Sequence, residues 1–316
     1  MNTHVKVKDS YRTLREIKRH RSVYLLLILP LAYYIIFRYG PIWNGQIAFK
    51  DFVPYNEFTG EGGVIGSRWI GLEHFFTFMR SFYFFELLRN TLFYSFGKLL
   101  VSVPASIILA VMLFECSRPM LAKVVQTLAY LPHFLSWVIM YGILMVLLAP
   151  GDGIINDIIK AFGGEPVAFM TNTSTFPWLV IFSDAWKVMG WSAIIFIAAL
   201  IGIDPSLFEA AMVEGVSAPQ RVWYITLPSI RPVIVMVVLL RLGTILDAGF
   251  HQIFMLYSIP VYSVADIIDT WVYRQGLLNF QFGLATSVGI FKGIIGLALI
   301  LMSNWAVKKV SDSSLF

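Results

Sequence analysis

Charge is scarce in this chain. Of its 316 residues, 14% are Asp, Glu, Lys or Arg and 58% are apolar, where a soluble domain carries about a quarter charged residues. Together with a mean hydropathy of +0.73, that excludes an ordinary soluble domain and points to an integral membrane protein. Cysteine is nearly missing. Cys116 stands alone, so neither a disulfide nor a thiolate metal cluster can form within the chain. There is no G-x-x-x-x-G-K-[ST] run to cradle ATP phosphates, and no H-E-x-x-H or G-x-S-x-G run. Low-complexity segments and solenoid repeats are lacking as well.

What is present is a series of long apolar runs. Six can be read, at 23–43, 90–114, 124–148, 176–200, 229–257 and 283–307. Each is long enough to cross the hydrocarbon core, which takes about twenty residues. Backbone polar groups in lipid must be satisfied internally, so the runs must be helices. The expected fold is therefore an all-α membrane protein with six transmembrane helices over 23–307, between a basic segment at 1–22 and a short tail at 308–316. The basic segment reads as an amphipathic helix on an anionic membrane surface, with a regulatory or partner contact as the alternative. The first run is too long for a signal peptide, and no small-residue cleavage site follows Arg38-Tyr39-Gly40-Pro41.

Basic residues set the orientation. Lys6 to Arg21, Arg118 and Lys123, Arg221 and Arg231, and Lys308 and Lys309 all fall on one side of the six spans. That side is the cytoplasm, which places both termini and the 201–228 loop there. The net charge of +5 reflects this bias rather than nucleic-acid binding. On the other side lie 44–88, rich in aromatics and glycine with 73–88 suited to a membrane surface, then 149–175, then 258–282.

The 201–228 loop holds the stretch EAAMVEGVSAPQRVWYITLP at 209–228. Asp204 suits a helix N-cap with Pro205 at the first position. Leu207, Ala210, Ala211 and Glu214 then fall along one face. Gly215 ends that helix in the left-handed conformation. Ser217 caps a second short helix with Pro219 near its start, and Pro228 stops it. Two short helices at an angle make a knob outside the membrane.

In its spacing of Glu209, Ala210, Ala211, Gly215, Ile225, Leu227 and Pro228, this stretch resembles the EAA loop of the membrane subunits of ABC importers. Leu131-Pro132-His133-Phe134, Ser136-Trp137, Asp247-Ala248-Gly249-Phe250, Asp269-Thr270 and Val272-Tyr273-Arg274 resemble segments of the polysaccharide or lipoprotein-type branch of carbohydrate permeases. The resemblance covers nearly the whole chain from residue 20 onward. His251 and Met255 depart from it, because acidic and amide residues are common there. The resemblance implies a type I importer permease fold with a cytoplasmic coupling helix, in a bacterial cytoplasmic membrane. It implies coupling through Glu209, Ala210, Ala211, Glu214, Gly215, Leu227 and Pro228. It also implies two ATPase subunits that carry the ATP and Mg2+, with no cofactor and no enzymatic activity in this chain. A second, different permease, an extracytoplasmic solute-binding protein and an oligosaccharide substrate complete the set.

Ionisable residues inside spans usually face a bundle interior or cavity. They are Lys98, Asp184, Lys187, Arg241, Asp247, His251 and Lys292. Asp184 and Lys187, three apart, can pair on one helix face or line a pathway, and Asp247 and His251 can pair likewise. Arg241, Thr244, Ala248 and Gln252 fall on one stripe of the fifth span. Lys98, near a span end, can snorkel. Lys292 lies beside Gly289, Gly293 and Gly296, a close-packing face. The pathway candidates are Lys187, Trp191, Arg241, Thr244, Asp247, His251 and Gln252, with Trp186, Tyr257, Tyr262, Trp271 and Tyr273 near its mouth. Leaving His251 aside, four basic residues face two acidic ones, a tilt toward an acidic saccharide. Other cargoes are a polyol or phosphate ester. Other classes are a stand-alone secondary carrier, against which no inverted pair of broken helices is read, and a membrane enzyme, for which no catalytic cluster is found.

Overall fold

A computed structural model describes residues 19–56 and 60–310. Most of the basic segment at 1–22 and the end of the 308–316 tail lie outside the described residues.

The apolar runs form helices, with boundaries that differ from expectation in instructive ways. Helix α1 (Arg21–Tyr34) continues through a π turn (Ile35–Tyr39) and Gly40–Asn44 to a 3-10 turn ending at Phe49. None of the residues of α1 is buried. Two short strands, β1 (Lys50–Asp51) and β2 (Arg68–Trp69), pair antiparallel. The Lys50 ammonium ties this excursion together, bonding Val64 O at 2.6 Å and lying 4.7 Å over the Trp69 ring. Helix α2 (Glu73–Met79) follows, and α3 (Phe84–Phe114) is the second span. Residues 84–88 therefore belong to a span rather than to a surface stretch.

The third span is not one helix. It is α4 (Pro119–Phe134) and α5 (Trp137–Leu148), bent by 112°. The cause is local: Ser136 is extended, and its side chain accepts from the Ile139 N–H, an N-cap that starts a new helix. After α6 (Ile154–Ala161) comes α7 (Phe176–Ile201), which packs along α3.

The fifth span corrects two expectations. After the knob helices α8 (Pro205–Val213) and α9 (Ala218–Arg221), the chain passes through a π turn (Val222–Thr226) directly into α10 (Leu227–Leu242). Pro228 thus does not stop a helix. A proline ring collides with the carbonyl four residues back, and a wider π turn just ahead of it relieves the clash. The same arrangement recurs where the Ile35–Tyr39 π turn precedes Pro41. The Ser229 hydroxyl donates to Ile225 O at 2.7 Å, occupying a carbonyl beside the proline. The span then ends at Leu242, well short of 257. Residues 243–249 turn, and a separate helix α11 (Phe250–Leu256) begins after Gly249, whose φ is +91°.

The 258–282 segment is not a free loop. Asn90 donates to Ser263 O and Asp266 O, Tyr94 to Val264 O, and the Ile268 N–H donates to Thr91. Helix α12 (Ile268–Tyr273) is packed against Phe78, Leu87 and Val288 in one apolar cluster. Helix α13 (Phe282–Val310) is the last span. Of its three glycines, Gly296 faces Leu246, at 3.8 Å from where a Cβ would stand, while a Cβ at Gly289 or Gly293 would meet nothing within 4 Å among the described residues. Two further clusters fill the bundle. One surrounds Tyr94, Phe176, Val180 and Ile253; the other, toward the knob, surrounds Val103, Phe196, Leu200 and Ile230.

Candidate coupling and translocation site

The knob forms as its sequence directs. The Asp204 carboxylate accepts from the Ser206 N–H at 2.9 Å, and that bond holds its pKa below the usual value. Gly215 takes φ +72°, and the Val216 N–H returns to Ala211 O at 2.9 Å, closing the helix end. Ser217 and Gln220 form a capping box for α9. Leu207, Ala210, Ala211 and Glu214 do not share one environment, because Ala211 is buried against the bundle while the other three are exposed. Glu209 is exposed and, among the described residues, forms no hydrogen bond or ion pair. Met212 and Val213 stand in solvent at the tip, with Val213 at 90% exposure. Leu227 is half-buried and Pro228 exposed where the chain re-enters the bundle.

What seats the knob was not read from the sequence. Arg221 forms an ion pair with Glu115, just beyond α3, with its Nε donating to Oε1 at 3.3 Å. The Arg221 guanidinium also lies 6.0 Å over the Phe208 ring, and Phe208 meets Phe114 at 5.9 Å. The only hint was Arg221 itself, which orientation alone accounted for. Glu115→Ala is expected to change thermal stability by less than about 1 kcal/mol, since the pair is partly exposed, yet to lower uptake about fivefold. The charge swap Glu115→Arg with Arg221→Glu should keep most of it, and uptake by the two variants checks this.

Inside the bundle, each membrane lysine fastens a discontinuity. Carbonyls freed where a helix breaks in lipid need a donor. At the α4–α5 break, Lys187 supplies one to Pro132 O at 3.1 Å, His133 O at 3.0 Å and Leu135 O. Lys187 therefore does not pair with Asp184. Asp184 lies 3.8 Å from Lys98 instead. Lys98 does not snorkel: it is 8% exposed and donates to Ala248 O at 2.7 Å and to Gln252 Oε1 at 2.5 Å, bracing the turn before α11. Lys292 binds Asp247 at 2.5 Å and both Asp269 oxygens at 2.8 Å.

The pathway candidates separate accordingly. A cleft of about 110 Å³ is lined by Lys98, Asp184, Arg241, Thr244 and Asp247, with Ser95 among its neighbours. It gathers Arg241, Thr244 and Asp247 from the candidates. The guanidinium of Arg241 donates to Ser192 Oγ at 2.8 Å and has no ion pair with a described carboxylate. Gln252 is fully buried and spends its amide on Lys98, Val180 O and Ser183. The expected stripe from Arg241 to Gln252 is broken because α10 ends at Leu242. His251 lies on α11, exposed and beyond the Gly249 turn, and Asp247 pairs with Lys292 rather than with it. Trp191 is half exposed and stacks on His133 at 4.7 Å with an interplanar angle of 2°. Asp269 joins the membrane network, so three carboxylates rather than two face the four basic groups. Arg241 and Lys187 remain without a carboxylate partner among the described residues.

Residues 102–313, from the middle of α3 through the knob and past α13, match the family described as binding-protein-dependent transport system inner membrane component. The chain belongs to this family. A polygalacturonan/rhamnogalacturonan transport system permease protein, YteP of Bacillus subtilis (strain 168), is 38% identical over 96% of this chain and 93% of its own length. Protein LplB of the same organism is 39% identical over 95% of this chain and 92% of its own. Among solved structures, a bacterial ABC transporter involved in the import of the acidic polysaccharide alginate contains a chain that superposes with a TM-score of 0.85 at 36% identity. That match covers 95% of this chain and 99% of the other. A second structure holds the alginate transporter with an alginate pentasaccharide-bound periplasmic protein, at TM-score 0.86 and 34% identity over 96% and 100% of the two chains. The protein is thus an ABC-importer permease, a transport component and not an enzyme. The permease does contain broken helices, in its third and fifth spans, so family membership rather than unbroken spans decides against a stand-alone carrier.

Proposed function

We propose that the permease forms half of the translocation pathway of an ATP-driven importer for acidic oligosaccharides. It works in a bacterial cytoplasmic membrane with both termini in the cytoplasm. A second, different permease completes the pathway, and a solute-binding protein delivers the sugar at the end opposite the knob. Two ATPase subunits hold the ATP and Mg2+. Their closure moves the knob, where Glu209, Met212 and Val213 face outward and are exposed among the described residues, and the two permeases alternate between inward and outward access.

The observation that carries the cargo assignment is Arg241. A guanidinium lining a membrane cleft without a carboxylate partner suits a substrate carboxylate, which it can bind through two parallel N–H donors. The named relatives point the same way, toward polygalacturonan and alginate. Arg241→Gln should lower uptake of oligouronates at least about tenfold relative to the unmutated importer, measured in proteoliposomes with all partners. Undiminished oligouronate uptake would refute the assignment. A phosphate ester meets the same guanidinium equally well, so import of a polyol phosphate with rejection of oligouronates would change the cargo within the same class.

A further inference from the structure

A second cavity lies beside the cleft. It has a volume of about 520 Å³, within the ~300–1,000 Å³ range of small-molecule sites. Asp247 lines both spaces, so the two adjoin through its side chain. Asp269, Lys292, Phe250, Tyr273 and Thr286 complete the part of the wall that matters here. None of the cavity's chemistry is needed to explain the Arg241 cleft.

The wall has two halves. One is charged, and its balance is negative. Lys292 directs its ammonium at Asp247 once and at Asp269 twice, which uses its three N–H donors. The Asp247 side chain is nevertheless 68% exposed, leaving lone pairs free to accept hydrogen bonds. Two carboxylates against one occupied ammonium accept hydroxyls and repel a further carboxylate. The other is apolar, with the rings of Phe250 and Tyr273 among aliphatic side chains such as Ile47, Val272 and Leu277. Tyr273 lies 4.9 Å from Phe254, which does not line the cavity, and 5.7 Å from Phe250, which does, so its ring is held between them. An aromatic face beside hydrogen-bond acceptors suits a pyranose ring, which offers an apolar C–H face and a rim of hydroxyls.

We propose that this cavity is a second sugar subsite, one that takes an uncharged pyranose ring while the neighbouring Arg241 cleft takes the carboxylate-bearing one. The assignment rests on the oligosaccharide reading above and adds that the cargo carries a neutral residue beside an acidic one. Asp247 and Asp269 accept hydroxyls in the subsite, Tyr273 and Phe250 supply the stacking face, and Lys292 holds the two carboxylates in place.

The test uses the whole importer in proteoliposomes with ATP inside and loaded binding protein outside. Two ratios are measured for the unmutated permease and for each variant, so that the binding protein's own preference cancels. The first is uptake of an alternating acidic–neutral tetrasaccharide over uptake of an acidic disaccharide. Thr286→Phe fills the cavity, and Thr286→Leu fills part of it. The Thr286 hydroxyl bonds only Phe282 O within its own helix, at 2.8 Å, so either change removes little else. The ratio should fall about tenfold for Phe and less for Leu. The second ratio is an all-acidic over an alternating tetrasaccharide. Asp269→Asn removes the excess negative charge and should raise it about fivefold. An unchanged first ratio overturns the subsite. A lowered first ratio with an unchanged second overturns the neutral-ring assignment. Failure of the unmutated importer to take up any of the sugars brings down the oligosaccharide reading itself, and the subsite with it.

Discussion

Replacing Lys98 with Met should be among the most damaging single changes in the permease, at about 3–5 kcal/mol. The side chains of Lys98 and Asp184 are only 10% and 17% exposed, so removing the ammonium leaves a carboxylate largely out of water without its cation. It also strips the donor from Ala248 O and Gln252 Oε1, which hold the turn between α10 and α11. Thermal unfolding of the purified protein should show a loss of roughly 10 °C, taking about 2–4 °C per kcal/mol for a domain of this order of size. Adding Asp184→Asn should recover part of that loss, because the orphaned charge goes with it. Equal stability of the single and double variants would mean that Asp184 is not the group Lys98 neutralises. Gly249 reports on the same joint: a Cβ there would collide with the Lys98 ammonium, so Gly249→Ala should weaken it by a different route.

The second large effect is on coupling rather than on folding. Gly215 holds φ +72° with nothing within 4 Å of where a Cβ would stand. A side chain at Gly215 is therefore excluded by backbone conformation and not by lack of room. A non-glycine residue in the left-handed region costs about 1–2 kcal/mol, more for a β-branched one and less for Asn. Gly215→Val should depopulate the native knob by about 5- to 30-fold and abolish most uptake, while Gly215→Asn retains most of it. Membrane insertion should be intact in both, since the contacts of Phe208 and Arg221 with α3 lie outside the turn. Glu209→Lys is expected to resemble Gly215→Val in uptake. Parallel uptake and membrane-fraction blots separate coupling from insertion, and full uptake by the Val variant would remove the turn from the mechanism.

The knob was legible because its signals are local. Asp204, Gly215 and Ser217 each act on backbone groups within a few residues. The apolar runs were legible for the same reason, since length and composition alone require helices in lipid. The breaks were not. Each is fastened by a lysine far away in sequence, Lys187 52–55 residues from the carbonyls of the α4–α5 break and Lys98 150 residues from Ala248. An apolar run reads the same whether or not such a partner waits across the bundle. Helical periodicity therefore carried Arg241 and Gln252 onto one stripe, when the chain turns between them. Pro228 failed as a stop signal because the π turn ahead of it absorbs the clash. Asp269 escaped the charge count because 258–282 read as a loop, although Asn90, Thr91 and Tyr94 draw that segment into the bundle.

Docking of the knob on an ATP-hydrolysing partner is what we propose drives transport. The experiment is to purify the tagged permease from native membranes in mild detergent, identify by mass spectrometry what accompanies it, and assay ATP hydrolysis with and without sugar-loaded binding protein. A second permease and an ATPase are expected in the preparation, with hydrolysis that rises when the loaded binding protein is added and no longer rises in Gly215→Val. Recovery of the chain alone, with uptake undiminished when ATP hydrolysis is blocked, would rule out coupling through the knob.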